Sequence, residues 1–154
     1  MVNSGRKWVN NMFMGEYQHN LDDKGRIVVP TKLRDGLGSS MIVTRGLDGC
    51  LAIYTLASWD TIVKELAALP TTKQVSRQYI RLLTAKATEA VMDKQGRILI
   101  PTSLASEASL TKNCVFVGVS DHVELWDQQR WDQYYDASSE SFEEIAEKLS
   151  EFIQ

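Results

Sequence analysis

Two short segments of the 154-residue chain share a charged pattern that could bind a phosphate group or the edge of a base. In each segment a glycine stands three residues after an aspartate, and an arginine follows the glycine: Asp22, Gly25 and Arg26 in the first, Asp93, Gly96 and Arg97 in the second. Aspartate at the beginning and glycine at the end are typical of a tight turn. An arginine on such a turn can form paired hydrogen bonds with guanine or phosphate. The alternative is structural: the aspartates cap the turns and the arginines pair with nearby acids.

The two segments lie inside an internal repeat. Residues 22–33 and 93–104 are identical at seven of twelve positions, at an offset of 71. After one inserted residue the match continues at an offset of 72, over about 40 residues altogether. A duplication of this length predicts two copies of one structural unit, and therefore determines the architecture.

Each copy has the pattern of an α+β unit. A strand precedes the turn and an apolar, β-branched strand follows it, which is typical of a β-hairpin. A proline (Pro30 or Pro101) ends the second strand, and a threonine (Thr31 or Thr102) caps a short helix. A second strand pair and a longer helix complete the copy. The predicted strands are 17–21, 26–29, 41–45 and 50–54 in the first copy, and 89–92, 97–100, 114–118 and 122–126 in the second.

The repeat also predicts how the chain is divided. Residues 1–11 are an N-terminal extension, either native or added. The first repeat with its helix covers 12–69, a linker with a helix covers 70–86, the second repeat covers 87–137, and an acidic amphipathic helix covers 138–154. One copy is too small to bury a core alone. We therefore expect the copies to interlock, each hairpin completing the other's sheet, in one β-barrel with near two-fold internal symmetry.

Charge is distributed unevenly along the chain. The whole chain has a net charge of −3, but residues 1–34 carry +3, residues 35–120 carry +2 and residues 121–154 carry −8. Such asymmetry indicates a segregated surface. The acidic segment is either a solvated helix face or, if the chain binds nucleic acid, a surface that faces away from phosphate.

Several classes of protein lack support in the sequence. No apolar run approaches the roughly 18 residues of a membrane helix, and no secretory signal is visible. Cys50 and Cys114 are interpreted as two buried thiols, and the distant His19 and His122 lack the spacing of a zinc site. No glycine-rich phosphate loop or catalytic constellation is present. We therefore expect no enzyme activity, metal, cofactor, small-molecule substrate or membrane association.

Four segments resemble one family, the MraZ transcriptional regulators of bacteria. They are Met14-Gly15-Glu16-Tyr17 with the first turn, the second turn through Pro101, Arg77 to Leu82, and Glu124-Leu125-Trp126-Asp127. The resemblance covers about residues 12–135. It implies tandem AbrB-like swapped-hairpin domains and a ring-shaped homo-oligomer. It also implies a cytoplasmic, nucleoid-associated repressor that binds direct repeats in double-stranded DNA before the division and cell-wall gene cluster.

The resemblance also implies which residues contact DNA. By analogy these are Lys24, Arg26, Lys94 and Arg97, on turns shaped by Asp22, Gly25, Asp93 and Gly96. Gln95 replaces Lys24 in the second turn, and Lys94 is shifted by one position, so we expect the two turns to contribute unequally. The alternative function is a DNA-independent oligomeric scaffold.

Overall fold

The structure, a computed structural model, describes residues 12–153. The predicted extension 1–11 therefore lies outside the described residues. The elements are β1 (Glu16–Asn20), β2 (Arg26–Val28), α1 (Thr31–Leu37), β3 (Ser40–Arg45), β4 (Leu51–Thr55), α2 (Leu56–Ala67), α3 (Gln74–Thr84), β5 (Thr88–Val91), β6 (Arg97–Leu99), α4 (Thr102–Glu107), β7 (Asn113–Gly118), β8 (Val123–Asp127), α5 (Gln128–Ser139) and α6 (Phe142–Ile153). This order confirms a mixed α+β chain built from two similar halves.

Strands of the two repeats are interleaved in one sheet. Its six strands follow the order β1-β7-β8-β4-β3-β5, with antiparallel pairing throughout. The hairpins β3–β4 and β7–β8 form as predicted. Strand β1 joins β7 of the second repeat, and β5 joins β3 of the first. The first strand of each repeat, β1 or β5, thus pairs with a hairpin strand of the other repeat.

Strands β2 and β6 form a separate two-stranded ribbon. Arg26 lies opposite Leu99, Ile27 opposite Ile98, and Val28 opposite Arg97. This two-stranded unit is called the ribbon below. Exchanging the two repeats converts the β1–β7 pairing into β5–β3 and the β7–β8 pairing into β3–β4, and leaves β4–β8 and β2–β6 unchanged, so the pairing pattern has two-fold symmetry.

Two expectations about these strands are wrong. The strands beside each turn do not form a hairpin, because β1 pairs with β7 whereas β2 pairs with β6. Among the strands of residues 12–153 no closed barrel forms either: β1 and β5 are the edges of the sheet, and β2 and β6 pair with each other but with no strand of the sheet. Each ribbon strand is three residues long and is soon followed by a proline, Pro30 or Pro101, which lacks the N–H needed to donate to a further ladder.

The core is divided between the two faces of the sheet. On one face, Phe116 and Leu125 pack against Ile27 and Ile98 of the ribbon, together with apolar residues of α1 and α4. We call this the ribbon face. The opposite face carries the longer helices, and Trp126 packs there against Trp131 of α5. We call it the helix face. The sheet therefore separates the ribbon from α2, α3 and α5.

Two further local expectations can be compared with the structure. The threonines do not cap the short helices: Pro30, with a φ of −54°, precedes α1, Thr31 is already helical, and no side chain caps either helix. Each threonine is the first helical residue, one position after the N-cap, so its hydroxyl does not stand where a capping side chain would. Cys50 and Cys114 are free and buried, as expected. Within residues 12–153, no helix is long and apolar enough to cross a bilayer.

Candidate nucleic-acid interface

The first turn, residues 22–26, is organised by one carboxylate. Oδ1 of Asp22 accepts hydrogen bonds from the backbone N–H groups of Lys24 at 2.9 Å and Arg26 at 2.8 Å. Oδ2 accepts a bond from Nε of Arg26 at 2.8 Å. The backbone N–H of Arg26 and its guanidinium both lower the pKa of Asp22. Asp22 is therefore charged at neutral pH and orients the arginine of its own turn.

The second turn, residues 93–97, repeats this geometry. Asp93 accepts backbone bonds from Gln95 at 2.9 Å and Arg97 at 2.8 Å, and a bond from Nε of Arg97 at 2.9 Å. The same donors lower the pKa of Asp93. One contact differs, because Nη2 of Arg97 also donates to Oε1 of Gln95 at 3.0 Å. Gln95, which stands where the first turn has Lys24, thus accepts a hydrogen bond from one terminal nitrogen of Arg97.

The ribbon places both arginines on one outer surface. Ile27 and Ile98 are each 1% exposed and point into the core. Because side chains alternate along a strand, Arg26 and Arg97 point away from the core. They are diagonal neighbours across the ribbon, which corresponds to roughly 7–8 Å between their Cα atoms. The turns that carry them lie at the two ends of the ribbon.

Glycine allows each turn to approach the other repeat. Gly25 has a φ of +81°, and a Cβ there would lie 2.9 Å from the carbonyl oxygen of Ile100. The N–H of Ile100 donates to the carbonyl of Gly25 at 2.7 Å, and the N–H of Val29 donates to the carbonyl of Gly96 at 2.8 Å. These bonds fix each turn to the strand end of the other repeat.

A basic residue absent from the sequence-based prediction lies beside the second turn. Arg34 of α1 donates from Nε to the carbonyl of Val29 at 2.9 Å, and a Cβ at Gly96 would collide with its guanidinium. Burial and the positive charge of Arg34 lower the pKa of His19. The sequence offers one signal, since the corresponding position in the second repeat is Ala105. Because the repeats exchange strands, Arg34 of the first repeat lies beside the turn of the second repeat, and this placement is visible only in the structure.

The two lysines occupy the tips of the turns. Lys24 and Lys94 are exposed, and neither forms an ion pair with any residue that the structure describes. The structure thus places the predicted contact residues along one ribbon: Lys24, Arg26, Arg97 and Lys94. Between positions 12 and 153, no cluster of three or more potential ligands could hold a metal ion.

Comparison with known proteins identifies the family. The model of the MraZ proteins, a family described as antitoxin-like, matches residues 12–82 and again residues 83–153. The chain belongs to the MraZ family. It is 48% identical over 141 residues to the transcriptional regulator MraZ of Pediococcus pentosaceus, which covers 92% of this chain and 99% of that protein. It is 49% identical over 141 residues to the transcriptional regulator MraZ of Ligilactobacillus salivarius, with the same coverage.

Membership of the MraZ family confirms the resemblance found in the sequence. It also confirms the prediction of a transcriptional regulator rather than an enzyme. The family model ends its first match at Leu82, so each matched repeat includes a terminal helix, α3 in the first and α6 in the second.

Proposed function

We propose that this MraZ-family chain binds operator DNA through the outer surface of its ribbon. In this proposal Arg26 and Arg97 contact bases or phosphates, and Lys24 and Lys94 contact phosphates beside them. The two repeats act as AbrB-like units with exchanged strands, and several chains form a ring that binds direct repeats. We further propose that the protein is a repressor of the division and cell-wall gene cluster, in the cytoplasm and associated with the nucleoid.

The observation that carries the proposal is the pre-arranged arginine pair. In each turn the aspartate binds Nε, and this side of the guanidinium is therefore occupied. The terminal nitrogens of Arg26 donate no hydrogen bond within the part of the chain that the structure describes. They form the fork that matches O6 and N7 of guanine or two phosphate oxygens. A fixed guanidinium loses little conformational freedom on binding, which favours affinity.

The aspartates beside the arginines do not contradict contact with phosphate. Each carboxylate already accepts two backbone N–H groups and a guanidinium, which offset its charge. The lysines at the turn tips and Arg34 add further positive charge along the same ribbon. Contacts of such groups with the DNA phosphates give an affinity that depends on salt concentration. Hydrogen bonds from the arginines to base edges would then distinguish one DNA sequence from another.

The difference between the turns supports direct repeats as the target. Lys24 corresponds to Gln95, and Arg34, which lies beside the second turn, corresponds to Ala105. The ribbon therefore presents a directional surface despite its symmetric pairing. Chains joined head-to-tail repeat such a surface in one sense, whereas a two-fold dimer would match inverted sites. Repeats spaced by about 10 base pairs place successive sites on one side of the duplex.

Binding to synthetic duplexes tests the proposal. We expect fluorescence anisotropy to show tighter binding to two direct repeats than to one, and weaker binding when half a helical turn is inserted between them. The logarithm of affinity should fall linearly with the logarithm of salt concentration. Equal affinity for inverted and direct repeats would contradict the directional model. Absence of any salt-sensitive DNA binding would favour the alternative, a DNA-independent scaffold.

A further inference from the structure

Helix α6 exposes an apolar stripe that no other element within residues 12–153 buries. None of its residues is buried, and its large apolar side chains are between 44% and 81% exposed. They recur at spacings of three and four residues, and are Phe142, Ile145, Leu149, Phe152 and Ile153. A helix with one apolar face requires a partner for that face.

Helix α3 exposes a second apolar stripe. Val75, Tyr79 and Leu82 are 72%, 48% and 55% exposed and follow one another at four and three residues. The opposite side of the helix is anchored on the sheet, where Oγ1 of Thr44 donates to the carbonyl of Leu83 at 2.5 Å. A groove of about 450 Å³ lies beside the stripe and can receive a large side chain; Tyr79 and Leu82 line it, together with Leu47 and Tyr54.

The two stripes complement each other in spacing and in charge. Both have the alternation of three and four residues that lets helices pack with interlocking side chains at a shallow angle. Helix α3 carries two arginines and no acid, a net charge of +2. Helix α6 carries four glutamates and one lysine, a net charge of −3. Opposite net charges favour the approach of one helix to the other.

We propose that α6 of one copy packs on the Val75–Tyr79–Leu82 stripe of α3 in a second copy, with an α6 phenylalanine in the groove. The inference rests on the proposed ring and names its subunit contact. Pairing of α6 with α6 would bring two charges of −3 together. Insertion into an anionic membrane would bring the same acids against lipid headgroups of like charge, whereas helices that lie on such membranes carry lysine and arginine.

This contact is directional. Each copy offers both an α6 and an α3, so the contact joins different surfaces and leaves one of each free at the ends of a chain of copies. Because α3 and α6 end the two matched repeats, the contact pairs corresponding helices of successive copies. Since α3 lies on the helix face, the α3 side of the assembly contact is separated from the ribbon by the sheet.

Two single substitutions and their mixture test the proposal. Leu149→Asp removes the centre of the α6 stripe, and Leu82→Asp removes part of the α3 stripe. Sedimentation velocity should show each variant as a single chain at concentrations where the unmodified protein is assembled. Mixed in equal amounts, they should form a one-to-one heterodimer and nothing larger, because one intact α6 and one intact α3 remain to pair. Ser150→Asp, which adds the same charge at another position of α6, should leave the assembly unchanged.

Two other results would contradict the proposed contact between α3 and α6 and would leave the proposal of DNA binding unaffected. If Leu149→Asp dissociates the assembly but Leu82→Asp does not, α6 packs elsewhere; an unmodified protein that is a single chain also ends the proposal. Circular dichroism checks the fold, and Val75→Asp replaces Leu82→Asp if that variant unfolds. Both single-chain variants should keep their affinity for a duplex with one repeat. Loss of that affinity in the unmodified protein would contradict the proposed function and leave the helix contact standing.

Discussion

The guanidinium of Arg34 lies directly over Gly96, so a helix of the first repeat completes the turn of the second. The same arginine donates to the carbonyl of Val29, whose own N–H donates to Gly96. The two repeats thus share one hydrogen-bonded unit at this end of the ribbon. The residue that corresponds to Arg34 in the second repeat is Ala105, which carries no charge.

We predict that the cost of Gly96→Ala depends on Arg34. Gly96 has a φ of +79°, so alanine alone should lower the free energy of unfolding by about 1 kcal/mol or more. The new Cβ must also displace the guanidinium, which adds to the cost. Chemical denaturation should therefore show a smaller loss for Gly96→Ala in an Arg34→Ala background. Gly25→Ala is the control, because its Cβ meets the Ile100 carbonyl and its cost should be the same in both backgrounds.

We predict that Arg26→Ala weakens DNA binding more than Arg97→Ala. Loss of a paired base contact corresponds to roughly 1–3 kcal/mol, or about 5-fold to 150-fold in affinity. When Arg97 is removed, Arg34 still provides a guanidinium beside the second turn, whereas the first turn has no such neighbour from the other repeat. Anisotropy titrations measure both losses.

The comparison has two controls. Arg97→Ala should cost more affinity when Arg34 is also alanine, since the second turn then keeps only Lys94. Lys148→Ala, on α6, should have little effect on binding to a duplex with one repeat. Equal losses for the two turn arginines would refute the greater weight of Arg26, and no loss for either would refute the ribbon as the DNA surface.

We predict that stability near neutral pH depends on His122. Its Nδ1 lies 2.8 Å from Oδ1 of Asp121, its Nε2 lies 3.6 Å from Oε2 of Glu124, and its ring packs on Tyr54. The nearby carboxylate of Glu124 and the hydrogen bond to Asp121 raise the pKa of His122, against the opposing effect of burial. The charged imidazole therefore contributes stability below its ordinary pKa of 6.5, and this contribution is lost as the pH rises through the raised pKa.

Denaturation curves between about pH 6 and pH 9 provide the measurement. The free energy of unfolding should fall with rising pH in the unmodified chain, and His122→Gln should flatten this fall. His19→Gln should leave the fall in place, because burial lowers the pKa of His19 and its loss would act in the opposite direction. An unchanged slope in His122→Gln would contradict the prediction.

We predict that deleting residues 141–154 separates assembly from DNA contact. Within residues 12–153 no side chain of α6 is buried, so thermal unfolding should change little when the two proteins are compared at concentrations where both are single chains, because assembly itself would stabilise the unmodified protein. The acidic segment should face away from DNA. The salt dependence of the affinity for a duplex with one repeat should therefore stay the same. Analytical centrifugation should show a single chain. If the salt dependence of DNA affinity changed while the oligomeric state stayed the same, the acidic helix would lie near the nucleic acid.

Part of the strand pairing within one repeat could be predicted from the sequence, whereas the particular partners of β1, β2, β5 and β6 in the other repeat could not. The hairpins β3–β4 and β7–β8 follow from short apolar runs on either side of a short turn, which is information carried by neighbouring residues. The repeat also predicted that the copies interlock. It could not predict that β1 and β5 remain sheet edges, because closure depends on pairing between strands that are distant in the sequence.

The same division holds for the candidate site. The spacing from Asp22 to Arg26 predicts a tight turn that carries a charged side chain, and the hydrogen bonds that Asp22 accepts through its side chain all join residues within four positions. The position of Arg34 beside the second turn could not be predicted, because its contact with Gly96 joins two different repeats. The exposed stripe of α3 was likewise not predicted as a surface, since the pattern around Tyr79 is also that of a helix packed in a core.

The exchange of strands has a consequence for how the chain can be synthesised. Glu16 of β1 pairs with Val117, and Val43 of β3 pairs with Thr88, so neither hairpin has its third strand until the ribosome has made most of the polypeptide. The first half of the nascent chain must wait with open strand edges, which invite pairing with other chains. A ribosome that stalls after residue 86 would therefore release a fragment prone to aggregation. Two separately translated halves should recover the native sheet only by finding each other.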